Sequence, residues 1–105
     1  MKVRVKGSPI HGLGVFASED LSGGSAVGIF EGKEVKQDTR HSLTLCGRKI
    51  EPSSELRYLN HSKFPNCGFV GTFLIARHSI KEGEELTIDY RKTEENITHT
   101  FEGLN

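Results

Sequence analysis

The 105 residues carry 14 Lys and Arg against 14 Asp and Glu, a formal charge of zero. That length allows one small domain, and zero net charge removes the simple electrostatic case for a nucleic-acid or membrane-surface partner. No apolar run approaches the roughly 20 residues that span a bilayer, and Met1-Lys2-Val3-Arg4-Val5-Lys6 is charged at every second position, unlike a signal peptide. The chain therefore reads as an intracellular, soluble, single-domain protein, residues 1–105, with no membrane partner and no direct contact with nucleic acid. Val, Ile, Leu and Phe make up 28 residues, above the roughly 20% below which chains stay disordered. The core will still be thin, because a domain this small hides only about two-thirds of the surface its unfolded chain exposes.

From the N-terminus, Val3 and Val5 alternate with Lys2, Arg4 and Lys6, the period of a half-buried strand. Short apolar runs follow at Leu13-Gly14-Val15-Phe16, Ala26-Val27-Gly28-Ile29-Phe30 and Phe73-Leu74-Ile75-Ala76. A further run, Glu85-Leu86-Thr87-Ile88, has its apolar residues at alternate positions. Turn residues such as Ser22-Gly23-Gly24-Ser25 and Lys81-Glu82-Gly83-Glu84 bound them, which predicts a mainly β domain of short strands. Lys36 to Glu51 is polar and reads as loop plus a weak hairpin. Pro52 and the Ser53-Ser54-Glu55-Leu56 stretch predict a helical turn or two reaching Leu59. In the tail, Ile97, Phe101 and Leu104 are spaced for one face of a second short helix. Cys46 and Cys67 lie in no C-x-x-C pair, so they give no zinc signal; one disulfide or two reduced, part-buried thiols both fit, the latter in a reducing compartment.

Three segments carry chemistry. Gly12-Leu13-Gly14 lets a backbone approach a ligand closely, though without the third glycine and helix of a dinucleotide fingerprint; a plain turn between strands is the competing reading. Arg57-Tyr58-Leu59-Asn60-His61-Ser62-Lys63-Phe64-Pro65-Asn66-Cys67 sets polar groups of fixed geometry in an apolar frame, and reads equally as a hydrogen-bonded turn. Ile80-Lys81-Glu82-Gly83-Glu84-Glu85-Leu86-Thr87-Ile88-Asp89-Tyr90 is either a turn and strand ending in an amphipathic Tyr, or a strand delivering a hydroxyl to a cleft. No nucleophile-and-base pair of the hydrolase type is evident; His11, His41, His78 and His99 read as surface or turn residues.

In this order and spacing, from about Ser8 to Tyr90, the three segments resemble the SET-domain protein-lysine methyltransferases, and in particular the minimal SET proteins of large viruses and some bacteria. The resemblance implies a β-clip fold of several small twisted sheets with a knot-like C-terminal threading and one or two short helices. It implies a motif region over 8–90 and a tail, 91–105, that closes the site. S-adenosylmethionine would lie on one face and become S-adenosylhomocysteine, while a target lysine enters a narrow channel from the other. Carried over by position, Gly12, Leu13 and Gly14 would touch the cofactor, Asn60 would bond its methionine end, His61 would offer backbone groups to the adenine, and Arg57 would neighbour its carboxylate. Tyr90 would be the catalytic tyrosine and a cofactor neighbour, and Phe101 would pack on the adenine. Tyr58, Phe69 and Ile88 would line the lysine channel; with no hydroxyl at Ile88 or Phe69, dimethyl and trimethyl products are expected. Many relatives have Cys where this chain has Lys63, and a C-x-C beyond the D-Y that it lacks, so no zinc is expected. The implied partner is a protein or peptide substrate such as a histone tail, acted on by a homodimer. A SET fold that has lost catalysis and only binds a peptide is the alternative.

Overall fold

A computed structural model describes residues 2–39, 41–45 and 47–90. Among the described residues ten short strands form three sheets around one core. In the first, β1 (Val3–Gly7) runs antiparallel to β2 (Leu13–Ala17), pairing Val3 with Ala17 through to Gly7 with Leu13. The alternation read from the sequence holds there: Val3 is buried while Arg4 and Lys6 are exposed. The second sheet orders β3 (Ala26–Ile29), β9 (Phe73–Ala76) and β8 (Cys67–Val70), all antiparallel. The third orders β4 (Gly32–Val35), β6 (Arg48–Pro52) and β5 (Leu43–Leu45).

The third sheet extends the weak hairpin expected over 36–51. Its two anchors, Leu45 and Ile50, are buried in the common core, and β4 joins through a four-pair register from Gly32–Pro52 to Val35–Lys49. A polar stretch can thus form a sheet because a pair of inward side chains suffices to tether it.

The first sheet is completed by the segments that matter for function. β10 (Glu85–Ile88) lies antiparallel to β2 on one side and parallel to β7 (Asn60–His61) on the other, pairing Thr87 with Asn60 and Ile88 with His61. As an inner strand it is covered on both faces, so Leu86, Thr87 and Ile88 are all buried although the sequence alternates; strands enclosed on both faces lose the one-sided pattern. Between the third sheet and β7, Glu55–Tyr58 forms a single 3-10 turn, capped by the Ser54 hydroxyl accepting from Leu56 N–H at 3.3 Å and burying Leu56. The core draws Val15, Leu86 and Ile88 from the first sheet, Phe69 and Leu74 from the second, and Leu45 and Ile50 from the third. Phe30 meets Phe69 edge-on at 5.6 Å. Among the described residues no helix is long and apolar enough to cross a membrane. The expected tail helix and Cys46 lie outside the described residues.

Cys67 is a free thiol, 1% exposed in this core. Burial pushes it up from the ordinary 9.0 to about 12. As pH rises the unfolded chain's thiol ionises first, so the stability tied to Cys67 is intact below pH 9.0 and is lost as pH climbs towards about 12. The loss runs up to about 1.4 kcal/mol per pH unit. Denaturant titrations across this alkaline range should show a shallower decline for Cys67→Ala than for the parent chain; equal slopes would mean the thiol is not sealed from water.

Candidate active site

The hairpin loop between β1 and β2, the 3-10 turn and the start of β7 enclose a cleft of about 540 Å³, within the roughly 300–1,000 Å³ of ordinary small-ligand sites. The hairpin contributes His11, Gly12 and Leu13; the 3-10 turn and β7 contribute Arg57, Tyr58, Leu59 and Asn60; His41 and Tyr90 complete the wall. Gly12 holds a left-handed φ of +47° with open space where a Cβ would stand, so the glycine is there for its backbone conformation. Leu13, 47% exposed, presents an apolar side chain at the mouth.

Asn60 is buried and its amide nitrogen is committed to the protein. The Nδ2 hydrogens face the carbonyls of His11 at 3.2 Å and Leu13 at 3.1 Å, Ser8 Oγ at 3.1 Å and Glu85 Oε2 at 2.8 Å. Oδ1 accepts no hydrogen bond among the described residues, and no buried side-chain polar atom among them lacks a partner, so this oxygen keeps contact with solvent. Arg57 stacks its guanidinium over the Tyr58 ring at 4.9 Å and donates to Tyr58 Oη at 2.9 Å. His41 meets the Tyr58 ring edge-on at 6.0 Å.

Tyr90 stands two residues past the end of β10 and is brought to the cleft by the β10–β7 pairing. Its hydroxyl donates to the Leu59 carbonyl, and its ring lies 5.3 Å from His61. Its backbone N–H donates to His61 Nδ1 at 3.2 Å. Asp89 Oδ1 is 3.7 Å from the same nitrogen. The backbone of His61 is also placed by pairing. Ser62 N–H donates to the Ile88 carbonyl at 2.9 Å; since successive residues of a strand point their backbone groups to opposite sides, the N–H and C=O of His61 face the open edge of β7.

Of the residues singled out in the sequence, Gly12, Leu13, Arg57, Tyr58, Asn60 and Tyr90 share this cleft, and His61 stands beside Tyr90. Gly14 sits behind the wall, where a Cβ would run into the Glu85 carboxylate. Phe69 and Ile88, 2% and 1% exposed, belong to the core and are not among the residues lining the cleft. Phe101 lies outside the described residues. His11 and His41, read as surface or turn residues, line the cleft, and no local pattern distinguishes them because the loops that carry them meet only in the fold. Among the described residues no cluster of three His, Cys, Asp or Glu could hold a metal.

These features agree with what known proteins show. Residues 12–91 match the SET domain family, and the chain belongs to that family. It is 27% identical to the histone-lysine N-methyltransferase MEDEA of Arabidopsis thaliana, an alignment covering 85% of this chain and 16% of that protein's length. The Plasmodium falciparum candidate histone methyltransferase PFL0690c shares the fold, with a TM-score of 0.68 at 22% identity over 85% of this chain and 92% of the other.

Desolvation raises the Tyr90 phenol above its ordinary 10.0, and donation to the Leu59 carbonyl also favours the neutral form. Tyr90 is therefore a neutral hydroxyl at physiological pH and not a base. Ultraviolet difference titration of the parent chain against Tyr90→Phe should place this group's ionisation above 10.0; ionisation at or below that value would mean that the ring is solvated.

Proposed function

We propose that this chain is an S-adenosylmethionine-dependent protein-lysine N-methyltransferase acting on a histone tail or another protein. The observation that carries the reading is the convergence of the Gly12-Leu13 hairpin, Arg57, Asn60 and Tyr90 on one cleft, from segments far apart in sequence. Family membership and the name of the MEDEA relative support the reaction class. On this reading residues 1–105 are one SET domain with its motifs over 8–90, and the tail 91–105 closes the site with Phe101 against the adenine. No zinc is needed, and a homodimer would bury further surface for a thin core.

The groups present fit the cofactor's chemistry. Asn60 Oδ1, an acceptor in contact with solvent, suits the ammonium of an amino acid, and the Arg57 guanidinium suits its carboxylate. The exposed edge of His61 offers one backbone donor and one acceptor, the pattern an adenine edge reads. Leu13 supplies apolar cover. When bound, the cofactor supplies a methyl group on a sulfonium that passes directly to an amine.

What the chain itself does is position and desolvate. A free lysine amine has a pKa of about 10.4 and must be neutral to attack; a dry channel beside a cation lowers that value. Tyr90 is no proton acceptor at neutral pH, so the amine's proton leaves to solvent. With its proton given to Leu59, the Tyr90 oxygen faces incoming groups as an acceptor, and it and neighbouring carbonyls hold an electron-poor methyl by weak C–H···O contacts. Alignment of nitrogen, methyl and sulfur supplies the remainder, several kcal/mol where placement is good.

Tyr90→Phe should lower kcat by about 100-fold with cofactor affinity nearly unchanged, at a stability loss of about 1 kcal/mol for the missing hydrogen bond. Calorimetry with S-adenosylhomocysteine and methyl incorporation into a histone mixture check this. Near-normal turnover by the variant would remove Tyr90 from the chemistry, and cofactor binding by the parent chain without any transfer would leave a peptide-binding module.

The same reading extends to product number. Neither Ile88 nor Phe69 carries a hydroxyl that could hold a water against the amine, so we expect dimethyl- and trimethyl-lysine. Tyr58, with its hydroxyl at the cleft, is the group that would oppose this. Mass spectrometry of a lysine peptide at long reaction times should show masses beyond the monomethyl product. Arrest at monomethyl-lysine with the enzyme still active would overturn the expectation.

A further inference from the structure

We propose that Ser8 and Glu85 are positioning residues that lock the hairpin loop, residues 8–12, in its ligand-ready shape by way of Asn60. The proposal rests on the cofactor reading of the cleft given above. Ser8 lies at the base of the loop and Glu85 at the start of β10, 77 positions later, yet Ser8 Oγ stands 2.7 and 2.8 Å from the two carboxylate oxygens. The hydroxyl is saturated: it donates to Glu85 and accepts from Ile10 N–H at 3.0 Å and from Asn60 Nδ2 at 3.1 Å.

The carboxylate is in turn the acceptor for both neighbours, taking Asn60 Nδ2–H at 2.8 Å. Asn60 has two amide hydrogens for four oxygens within 3.2 Å, two of them loop carbonyls. Ser8 N–H closes the loop on the Gly12 carbonyl at 2.8 Å. The carbonyls of His11 and Leu13 and the amide of Ile10 thus meet this cluster, beside the Gly7–Leu13 ladder pair. Holding Nδ2 towards the loop also fixes the plane of the Asn60 amide, so the cluster sets both the wall and the orientation of the remaining acceptor, Oδ1.

Gly14 gives an independent reason to regard the arrangement as built. The carboxylate of Glu85 occupies the space a side chain at 14 would need, so the second glycine of the G-x-G serves the lock rather than direct ligand approach. Neither Ser8 nor Glu85 is among the residues lining the cleft, which makes them positioning residues and not catalytic ones.

Breaking the lock should weaken binding without touching the transfer step. Ser8→Ala removes the hub of the cluster; Glu85→Gln turns one acceptor into a donor facing donors. Each should raise the Kd for S-adenosylhomocysteine and the KM for S-adenosylmethionine about tenfold, with kcat at saturating cofactor within about twofold. Ser8→Thr, which keeps the hydroxyl, should restore affinity. The double variant should be no worse than the poorer single, as groups in one network are not additive.

Hydrogen exchange on the ligand-free protein supplies the second measurement, with the amides of Ser8 and Ile10 exchanging faster in Ser8→Ala and normally in Ser8→Thr. Unchanged affinity and unchanged loop exchange in Ser8→Ala, or a lowered melting temperature with neither effect, would overturn the proposal. Faster loop exchange with no cofactor binding even by the parent chain would instead overturn the cofactor reading and leave the lock standing.

Discussion

The side chain of Asn66 holds β10 where the site needs it. Its Oδ1 accepts from Thr87 N–H at 2.9 Å and its Nδ2 donates to the Glu85 carbonyl at 2.8 Å, while its own backbone N–H reaches Thr87 Oγ1 at 3.3 Å. An amide side chain here does the work of a neighbouring strand. A parallel pair two residues long, such as β7 with β10, has too few ladder bonds to stand alone. Asn66 satisfies the Glu85 carbonyl and the Thr87 N–H, while Ser62 N–H meets the Ile88 carbonyl. Each such bond is worth about 1 kcal/mol net, but leaving a buried partner unmet costs about 1–3 kcal/mol. That asymmetry fixes the register, and the register carries Tyr90 to Leu59 and His61.

The resulting cleft is built for placement more than for acid–base chemistry. Its one strongly constrained hydroxyl is kept neutral by burial and donates inward. Its cation, Arg57, is held flat against Tyr58, a pose that presents a planar fork to a carboxylate. Neither Tyr90 nor Arg57 takes a proton at neutral pH, so on the proposed reading desolvation of the channel favours the neutral amine.

The mainly β character was legible because it lies in short-range patterns: the alternation of β1, the apolar runs of β2, β3 and β9, and the Ser54 cap on the 3-10 turn. The site motifs were legible too, since Asn60, His61 and Tyr90 stand in characteristic strings. What sequence could not display is pairing across distance. Ser8 and Glu85 are ordinary turn and surface types 77 positions apart, and only the fold makes them partners. Asn66 looked like a turn residue, and its role depends on a strand 19 positions later. Ile88 and Phe69 were expected at the channel from their positions in the motifs, yet both fill the core, because β10 and β8 are covered on the side that those positions face.

A chain with 28 large apolar residues of this kind has little core to spend on shaping a concave wall, and apolar packing is non-directional. A cleft must keep its walls apart, so the elements around it cannot simply collapse on each other. In this fold the apolar residues tie the three sheets together on the inside, while Ser8, Asn60, Asn66 and Glu85 set the wall and the strand behind it by directed hydrogen bonds. Hydrogen bonds of fixed length and angle can hold two loops at a set spacing where van der Waals contact would close the gap. The polar residues around the site are therefore structural members of it, and the geometry presented to a ligand is set by partners that the ligand never touches.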